Sequence, residues 1–444
     1  MSIHQPTRIL LVGGGGREHA LAWKLAAEPG VNEVIVLPGS DGVAEVPRVR
    51  VAGGRVDPGA VVDLCRSRAV ELVVIGPEQP LADGLVDELQ DAGVLAFGPT
   101  AAAARIETSK AFCHEIAAAA GVRMARSRTC GSAVETIDAI VELAGEGRGF
   151  VVKQDGLAAG KGVTVYEAAD TERARRDVEA LFGDNPAATV VVEERLDGRE
   201  ASVIAITDGR DLLALPAARD HKRLRDGDEG PNTGGMGAYN PLPDLPDEAV
   251  VEVVASFHRP VVAELARRGS PFVGALYAGL MLTADGPVLL EFNARFGDPE
   301  TQVILPRLAT ALGPVLRAAA RDELARAVSS LHLREPILPT AGLATVGIVL
   351  AAAGYPGTRS AGEPIEGIEA ASADGGLVFH GGTRRGPHGG WTTEGGRILT
   401  VVGRGRDLVE ARAAAEQAAD RISWPGMQRR RDIAAHLPVP EAVA

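Results

Sequence analysis

The chain predicts an α/β protein in three units: an N-terminal Rossmann-like domain around a parallel sheet, a two-lobed central domain, and a small α+β C-terminal domain. Three observations carry this. Short apolar runs alternate with helix-period segments over residues 1–105. Strand-like runs flank glycine turns between residues 150 and 293. The chain is 444 residues long, with 45% hydrophobic and 24% charged, enough for several cores.

In the first unit, residues 1–105, Arg8–Val12 reads as a buried strand leading through a glycine turn into the helix His19–Ala27. Val34–Leu37 is a second strand, stopped by Pro38-Gly39. The helix Ala60–Arg68, the strand Leu72–Ile75, the helix Leu81–Ala92 and the strand Val94–Phe97 complete the alternation. The unit ends near Gly98-Pro99-Thr100.

The central domain spans 106–328, with a first lobe to residue 200 and a second lobe over 201–328. The helix Ser109–Ala120, the strand Phe150–Lys153, the run DGLAAGKG, the strand Val163–Tyr166, the helix Thr171–Phe182 and the strand Val190–Glu193 build the first lobe. The second holds the strand Ser202–Thr207, a polar loop Asp220–Pro241 and the helix Asp247–Arg268. A hairpin of Leu276–Leu282 with Val288–Phe292 and a helix from Ala309 follow. Leu331–Pro339, with two prolines, is a linker. Residues 340–444 carry the strands Thr345–Ala351, Leu377–His380 and Arg397–Val402 and the helix Leu408–Ile422.

A net charge of −13 argues against a nucleic-acid partner. The nearest thing to a basic cluster, Arg429–Arg431, reads as a solvated helix end. No stretch approaches 18 apolar residues, so no membrane span is expected. Three cysteines without a CxxC exclude a disulfide framework and a thiolate zinc site, and place the chain in a reducing cytoplasm. Only five of the 46 basic residues are lysine, so each lysine marks a need for a compact point charge.

Three glycine-rich motifs compete as anion sites. Gly13–Gly16 fails G-x-G-x-x-G because Glu18 or His19 stands at the sixth position. A backbone nest at a helix N-terminus is left, or a tight turn without a ligand. Gly156–Gly162 has three residues between its glycines and Gly162 where a P-loop has Ser or Thr, so it is not a Walker A loop. With Lys153 before it and Lys161 inside it, it reads as a flap over a polyphosphate, with a plain hairpin as the alternative. Pro231–Gly237, following Lys222 and Arg223, reads as an anion cradle. On the strand Val288–Phe292, Glu291 and Asn293 point to one face, a carboxylate and an amide suited to Mg²⁺ with phosphate and water completing the shell. Arg295 continues that alternation and suits a phosphoryl group. Glu193, Leu196 and Glu200 follow a strand end, where adenine and ribose acceptors can sit, although that signal is weak.

The order GGREHA, Gly76-Pro77-Glu78, Ser109-Lys110-Ala111-Phe112, Lys153 with DGLAAGKG, RDHKR with PNTGGMGAY, and EFNARFGDPETQ resembles the glycinamide ribonucleotide synthetase family of the ATP-grasp superfamily, over essentially the whole chain. The resemblance implies a pre-ATP-grasp N-terminal domain, an ATP-grasp centre, and ligation of glycine to 5-phosphoribosylamine through a glycyl phosphate in purine synthesis. It implies ATP contacts from Lys110, Lys153, Gly156, Gly160, Lys161, Gly162, Glu193, Leu196 and Glu200, and Mg²⁺ or Mn²⁺ on Glu291 and Asn293. Substrates would meet Gly15, Gly16, Glu18, Glu78, Asn232, Thr233, Gly234 and Gly235, with Arg295, Lys222 and Asp298 serving the chemistry. A monomer or weak homo-oligomer is expected. Gln154, Gly14 and Ala434 depart from the family pattern and leave a paralogue joining another amino acid or amine as the alternative. A different ATP-grasp carboxylase and a non-catalytic nucleotide-binding protein are the remaining rivals.

Overall fold

The structure is a computed structural model describing residues 4–157, 162–333, 335–358 and 360–437. The N-terminal sheet is parallel, in the order Val49–Val51, Glu33–Pro38, Arg8–Gly13, Leu72–Ile75, Ala96–Phe97. Its central strand is apolar on both faces, and Ile9 to Val12 are fully buried, as a parallel sheet covered on both sides requires. The short edge strand Val49–Val51 carries no sequence signal of its own. The helix expected over Leu81–Ala92 is two helices, Glu78–Ala82 and Leu85–Asp91. Gly84 between them has φ +83°, which a continuous right-handed helix does not accommodate.

The first lobe is a four-stranded antiparallel sheet ordered Ser127–Cys130, Val190–Glu194, Phe150–Gln154, Val163–Tyr166. The helices Ala133–Gly145 and Thr171–Asp184 pack against each other over it. Phe150, Tyr166, Val178 and Val190 belong to a core cluster separate from the two that run through the rest of the molecule. The strand Ser127–Cys130 and the helix Ala133–Gly145 occupy a stretch with no expected element. The strand is polar and mostly exposed, so it lacks the apolar alternation that marks strands.

The second lobe is an antiparallel sheet ordered Leu212–Ala214, Arg199–Asp208, Val273–Thr283, Gly286–Asn293. The polar loop is not wholly loop. Arg219–Asp220 and Gly237–Asn240 are strands of the C-terminal sheet, ordered Arg219–Asp220, Gly237–Asn240, Ala344–Ala351, Arg397–Gly405, Leu377–His380. Between them, Arg223–Arg225 and Glu229–Asn232 form a small hairpin. Gly237 must be glycine for packing, since a Cβ there would come within 2.6 Å of the Gly347 carbonyl oxygen and 2.8 Å of the Ile433 side chain.

Arg429–Arg431 is not a solvated helix end. Arg430 is 1% exposed, and carboxylates from two parts of the chain surround its guanidinium. No helix among the described residues is long and apolar enough to cross a membrane.

Candidate active site

A cleft of about 820 Å³ opens where both lobes, the N-terminal domain and the C-terminal sheet meet. The strand–loop–strand of the first lobe brings Lys153 to one wall. Lys153 is buried, and its Nζ lies 2.8 Å from Glu193 Oε2 and donates to the Leu290 carbonyl at 3.0 Å. That second bond ties the first lobe to the strand carrying Glu291. Glu193 is also 2.7 Å from His114 Nε2. Burial pushes the Glu193 carboxyl up, and Lys153 and His114 together hold it below the usual range.

Lys110 begins the helix Lys110–Ala119, capped by Ser109, and its Nζ donates to the Gly156 carbonyl at 3.0 Å. Asp155 accepts from the Ala111 amide and the Ser109 hydroxyl, so the base of the flap is seated on this helix N-terminus. Gly156 and Gly162 line the cleft, as do Leu196 and Glu200. Gly160 and Lys161 lie outside the described residues.

The opposite wall is the strand Gly286–Asn293. Glu291 and Asn293 both line the cleft, while Phe292 between them is buried on the other face. Glu291 has Lys222 Nζ at 3.9 Å, and Lys222 sits closer to Glu200, at 2.7 Å. Burial raises the Glu291 carboxyl, but Lys222, Lys153, Lys110 and Arg295 outweigh it and hold it below the ordinary range. Lys222 goes the other way: burial lowers it, and Glu200, Asp220, Tyr277 and Glu291 carry it well above its usual value. Asp220 is raised well above its usual value, first by burial and then by Glu300, Glu200 and Glu291.

This donor set fits a hard divalent cation. Glu291 keeps about a third of its side chain open, at 36%, and no guanidinium among the described residues is bound to it. Beyond burial, the carboxyl groups of Glu300, Glu200 and Glu291 lie close enough to raise Asp220, and Glu200 holds Lys222 more closely than Glu291 does. No three Asp, Glu, His or Cys side chains among the described residues form a self-sufficient metal cage. A carboxylate plus an amide is what Mg²⁺ takes when phosphate and water supply the rest.

Arg295 joins the N-terminal domain to the central domain. Its guanidinium reaches Glu78 at 3.3 Å, Glu107 at 3.0 Å and Asn293 Oδ1 at 3.5 Å. Burial lowers it, and Glu107 and Glu78 raise it above its usual value. Asp298 accepts from Gln302 Nε2 at 2.8 Å and Arg397 Nη2 at 2.9 Å. Gly15 and Gly16 line the cleft at the start of the helix Gly16–Ala27, and Asn232, Thr233 and Gly234 line it from the loop.

Two expected residues do not face the cleft. Glu18 turns back on its own helix. Its Oε2 accepts the Gly15 amide at 2.8 Å and its Oε1 the Arg17 Nε at 2.6 Å, a capping role at a buried helix start. Gly235 has φ +105°, and a Cβ there would meet Pro299 at 2.5 Å, so its glycine serves packing.

Sequence reasoning missed Arg17, Glu107, His114, Tyr355 and Arg397, all of which line the cleft. Arg17 lies within a motif already singled out. Arg397 donates to the carbonyls of Asp298, at 2.9 Å, and Gly234, and Tyr355 Oη accepts the Gly234 amide at 2.9 Å. Nothing near residues 355 or 397 in sequence signals this, because the partners are about 100 residues or more away.

Two lobes that enclose a nucleotide-sized cleft, lysines on one wall and a carboxylate–amide pair on the other, define an ATP-grasp protein. Family descriptions match in three consecutive blocks: Phosphoribosylglycinamide synthetase, N domain, over residues 7–107; its ATP-grasp (A) domain over 108–301; and its C domain over 345–436. The chain is 47% identical over 431 residues to a phosphoribosylamine–glycine ligase of Streptomyces coelicolor, covering 96% of this chain and 99% of that one. The crystal structure of phosphoribosylamine–glycine ligase from Thermotoga maritima superposes with a TM-score of 0.79 at 31% identity, over 96% of this chain and all of that one (100%). The biotin carboxylase domain of Hydrogenobacter thermophilus 2-oxoglutarate carboxylase, solved with MgADP and bicarbonate, shares the fold alone. Its TM-score is 0.68 at 13% identity, over 96% and 92% of the two chains. The chain belongs to the phosphoribosylglycinamide synthetase family.

Proposed function

We propose that this protein is an ATP-dependent carbon–nitrogen ligase that joins glycine to 5-phospho-D-ribosylamine, giving glycinamide ribonucleotide, ADP and phosphate for purine synthesis. Family membership supports the reaction, and one observation supports its location. Lys110, Lys153, Lys222 and Arg295 converge electrostatically on Glu291, beside Asn293, in a single cleft. A glycine carboxylate has to approach a triphosphate carrying about four negative charges, and such an encounter needs preorganised cations.

Lys110 and Lys153 hold the polyphosphate from the first lobe, with the flap around Gly156 and Gly162 closing over it. Glu193 and Leu196 stand on the adenine side and Glu200 on the ribose side. Glu291 and Asn293 would hold Mg²⁺, which would supply positive charge against the polyphosphate. Arg295, held by Glu78 and Glu107, steadies the transferred phosphoryl group. A glycine carboxylate oxygen attacks the γ-phosphorus and ADP leaves. The amine nitrogen then attacks the carbonyl carbon of the acyl phosphate, phosphate departs and the nitrogen loses a proton. Gly15, Gly16 and Asn232–Gly234 border the part of the cleft that takes the substrates' anionic groups, beside the positive helix end at Gly16. Closure excludes the water that would hydrolyse the acyl phosphate.

A product assay tests this. ADP release should require both glycine and phosphoribosylamine, and other amino acids should not replace glycine. ADP formed with another amino acid and not with glycine would overturn the assignment.

A further inference from the structure

The Arg429–Ile433 segment, in which Arg430 and Ile433 are buried, has no part in the cleft, and none of its residues line it. Its hydrogen bonds nevertheless lead there. Arg430 donates to both Asp432 oxygens, at 2.7 and 2.6 Å, to Asp228 Oδ1 at 2.6 Å and to the Arg223 carbonyl at 3.2 Å. The Gly227 amide donates to Asp432 Oδ2 at 2.9 Å, and the Arg431 amide to Asp226 Oδ1 at 2.8 Å. These bonds grip the tip of the 223–232 hairpin, where Gly227 and Asp228 have φ +70° and +55°. A left-handed aspartate is uncommon, and such a conformation persists when its surroundings over-determine it.

The segment is itself bolted to the helix Leu408–Arg421. Arg412 donates to the carbonyls of Arg431 at 2.7 Å and Ile433 at 3.1 Å, and Arg429 pairs with Asp420 and Glu416. At the other end the hairpin's roots are in the cleft. Thr233 donates through both its amide and its hydroxyl to the Lys222 carbonyl, each at 2.8 Å, and Lys222 Nζ faces Glu200 and Glu291.

A buried guanidinium among carboxylates is weak evidence for stability, because apolar side chains of similar volume hold a fold as well. What it supplies is a single geometry. We propose that Arg430, acting through Asp228 and Asp432, is a positioning residue that fixes the 223–232 hairpin so that Lys222 presents its charge in the cleft and Asn232–Gly234 keep their place on its wall. It touches no substrate. The inference rests on the ligase reading for its kinetic arm alone.

The test uses the full chain with Arg430→Gln, Asp228→Asn, the double variant, and Arg431→Gln as a control whose side chain is 62% exposed. Each clamp variant should lower kcat by about tenfold or more with KM for ATP changed less than about threefold, since a small misplacement of polar groups costs rate steeply. The double variant should lose no more than the worse single one, as members of one unit do. Amide hydrogen exchange should accelerate in residues 222–236 and stay unchanged in 408–421. Arg431→Gln should match the parent. The proposal is overturned if folded Arg430→Gln keeps the parental kcat, if the two losses multiply, or if exchange rises equally through 408–421, which would make Arg430 a general support of its domain. Should Arg430→Gln fail to fold, Asp228→Asn, on a side chain 69% exposed, gives the same readings. The exchange arm needs no substrate. A parent without glycine-dependent turnover therefore sinks the ligase reading, while unchanged exchange at 222–236 sinks the clamp.

Discussion

At the scale of single residues, the site works by surplus and deficit of charge. Among the described residues Glu291 is ringed by cations yet bound tightly by none, the nearest being Lys222 Nζ at 3.9 Å. Its carboxylate is thus available for a metal, whereas Glu193 is consumed by Lys153 and His114. Glu291→Gln should lower Mg²⁺-dependent ATP turnover by about 10²- to 10³-fold, the loss expected on removing one preorganised electrostatic group. The fold should persist, because Lys222 keeps Glu200 at 2.7 Å. Steady-state rates over a magnesium titration, beside a thermal melt, check this. An unchanged magnesium dependence removes Glu291 from the metal site. Glu291 and Asn293 were legible in sequence because a strand's two-residue period puts both on one face. Glu18 misled because its motif is real but its carboxylate caps a helix, and a capping acid and a ligand acid look alike in a linear string.

At the scale of elements, the helix Gly16–Ala27 meets the strand Leu377–His380 through a pair of histidines. His19 Nδ1 accepts the His380 amide at 3.0 Å, and the two rings stack at 5.5 Å. Burial, with His380 adding to it, pushes His19 down to about 3; burial lowers His380 to about 4. Both are therefore neutral in the folded protein and titrate near 6.5 once unfolded, so the unfolded chain binds more protons between those limits. Their stabilisation is complete above pH 6.5 and is lost as pH falls toward 4, at about 1.4 kcal/mol per pH unit for each histidine. Burial likewise lowers His258 to about 4, and it adds the same slope. His19→Asn keeps an acceptor but cannot titrate. Urea unfolding at pH 7.5, 6 and 5 should show a shallower decline for this variant than for the parent, and parallel curves would refute the assignment.

At the scale of the whole molecule, cores decide what moves. The N-terminal domain, the helix Lys110–Ala119, the second lobe and the C-terminal sheet share two continuous apolar clusters, and the sheet and helices of residues 127–194 have their own. Polar links such as Lys153 to the Leu290 carbonyl and Lys110 to the Gly156 carbonyl, each at 3.0 Å, join the lobe to the rest. Residues 127–194 should therefore open at a lower free energy than the remainder in native-state hydrogen exchange, and MgATP should protect them most. Equal protection across both parts would contradict the two-body description.

The local order of the chain by itself determined the alternating N-terminal domain, the glycine-rich connection between the strands Phe150–Gln154 and Val163–Tyr166, the shared face of Glu291 and Asn293, and the family. These depend on patterns within about ten residues, where backbone periodicity and glycine chemistry leave a direct mark. Only the tertiary structure decided that Arg219–Asp220 and Gly237–Asn240 are strands of the C-terminal sheet, that Arg397 and Tyr355 complete the cleft, and that Arg430 is buried. Most of these are set by partners about 100 or more residues distant, and Arg219–Asp220 pairs with Gly237–Asn240, which is itself seated on Ala344–Ala351. A polar stretch or an isolated arginine has the same sequence whether it faces water or a carboxylate brought to it by folding.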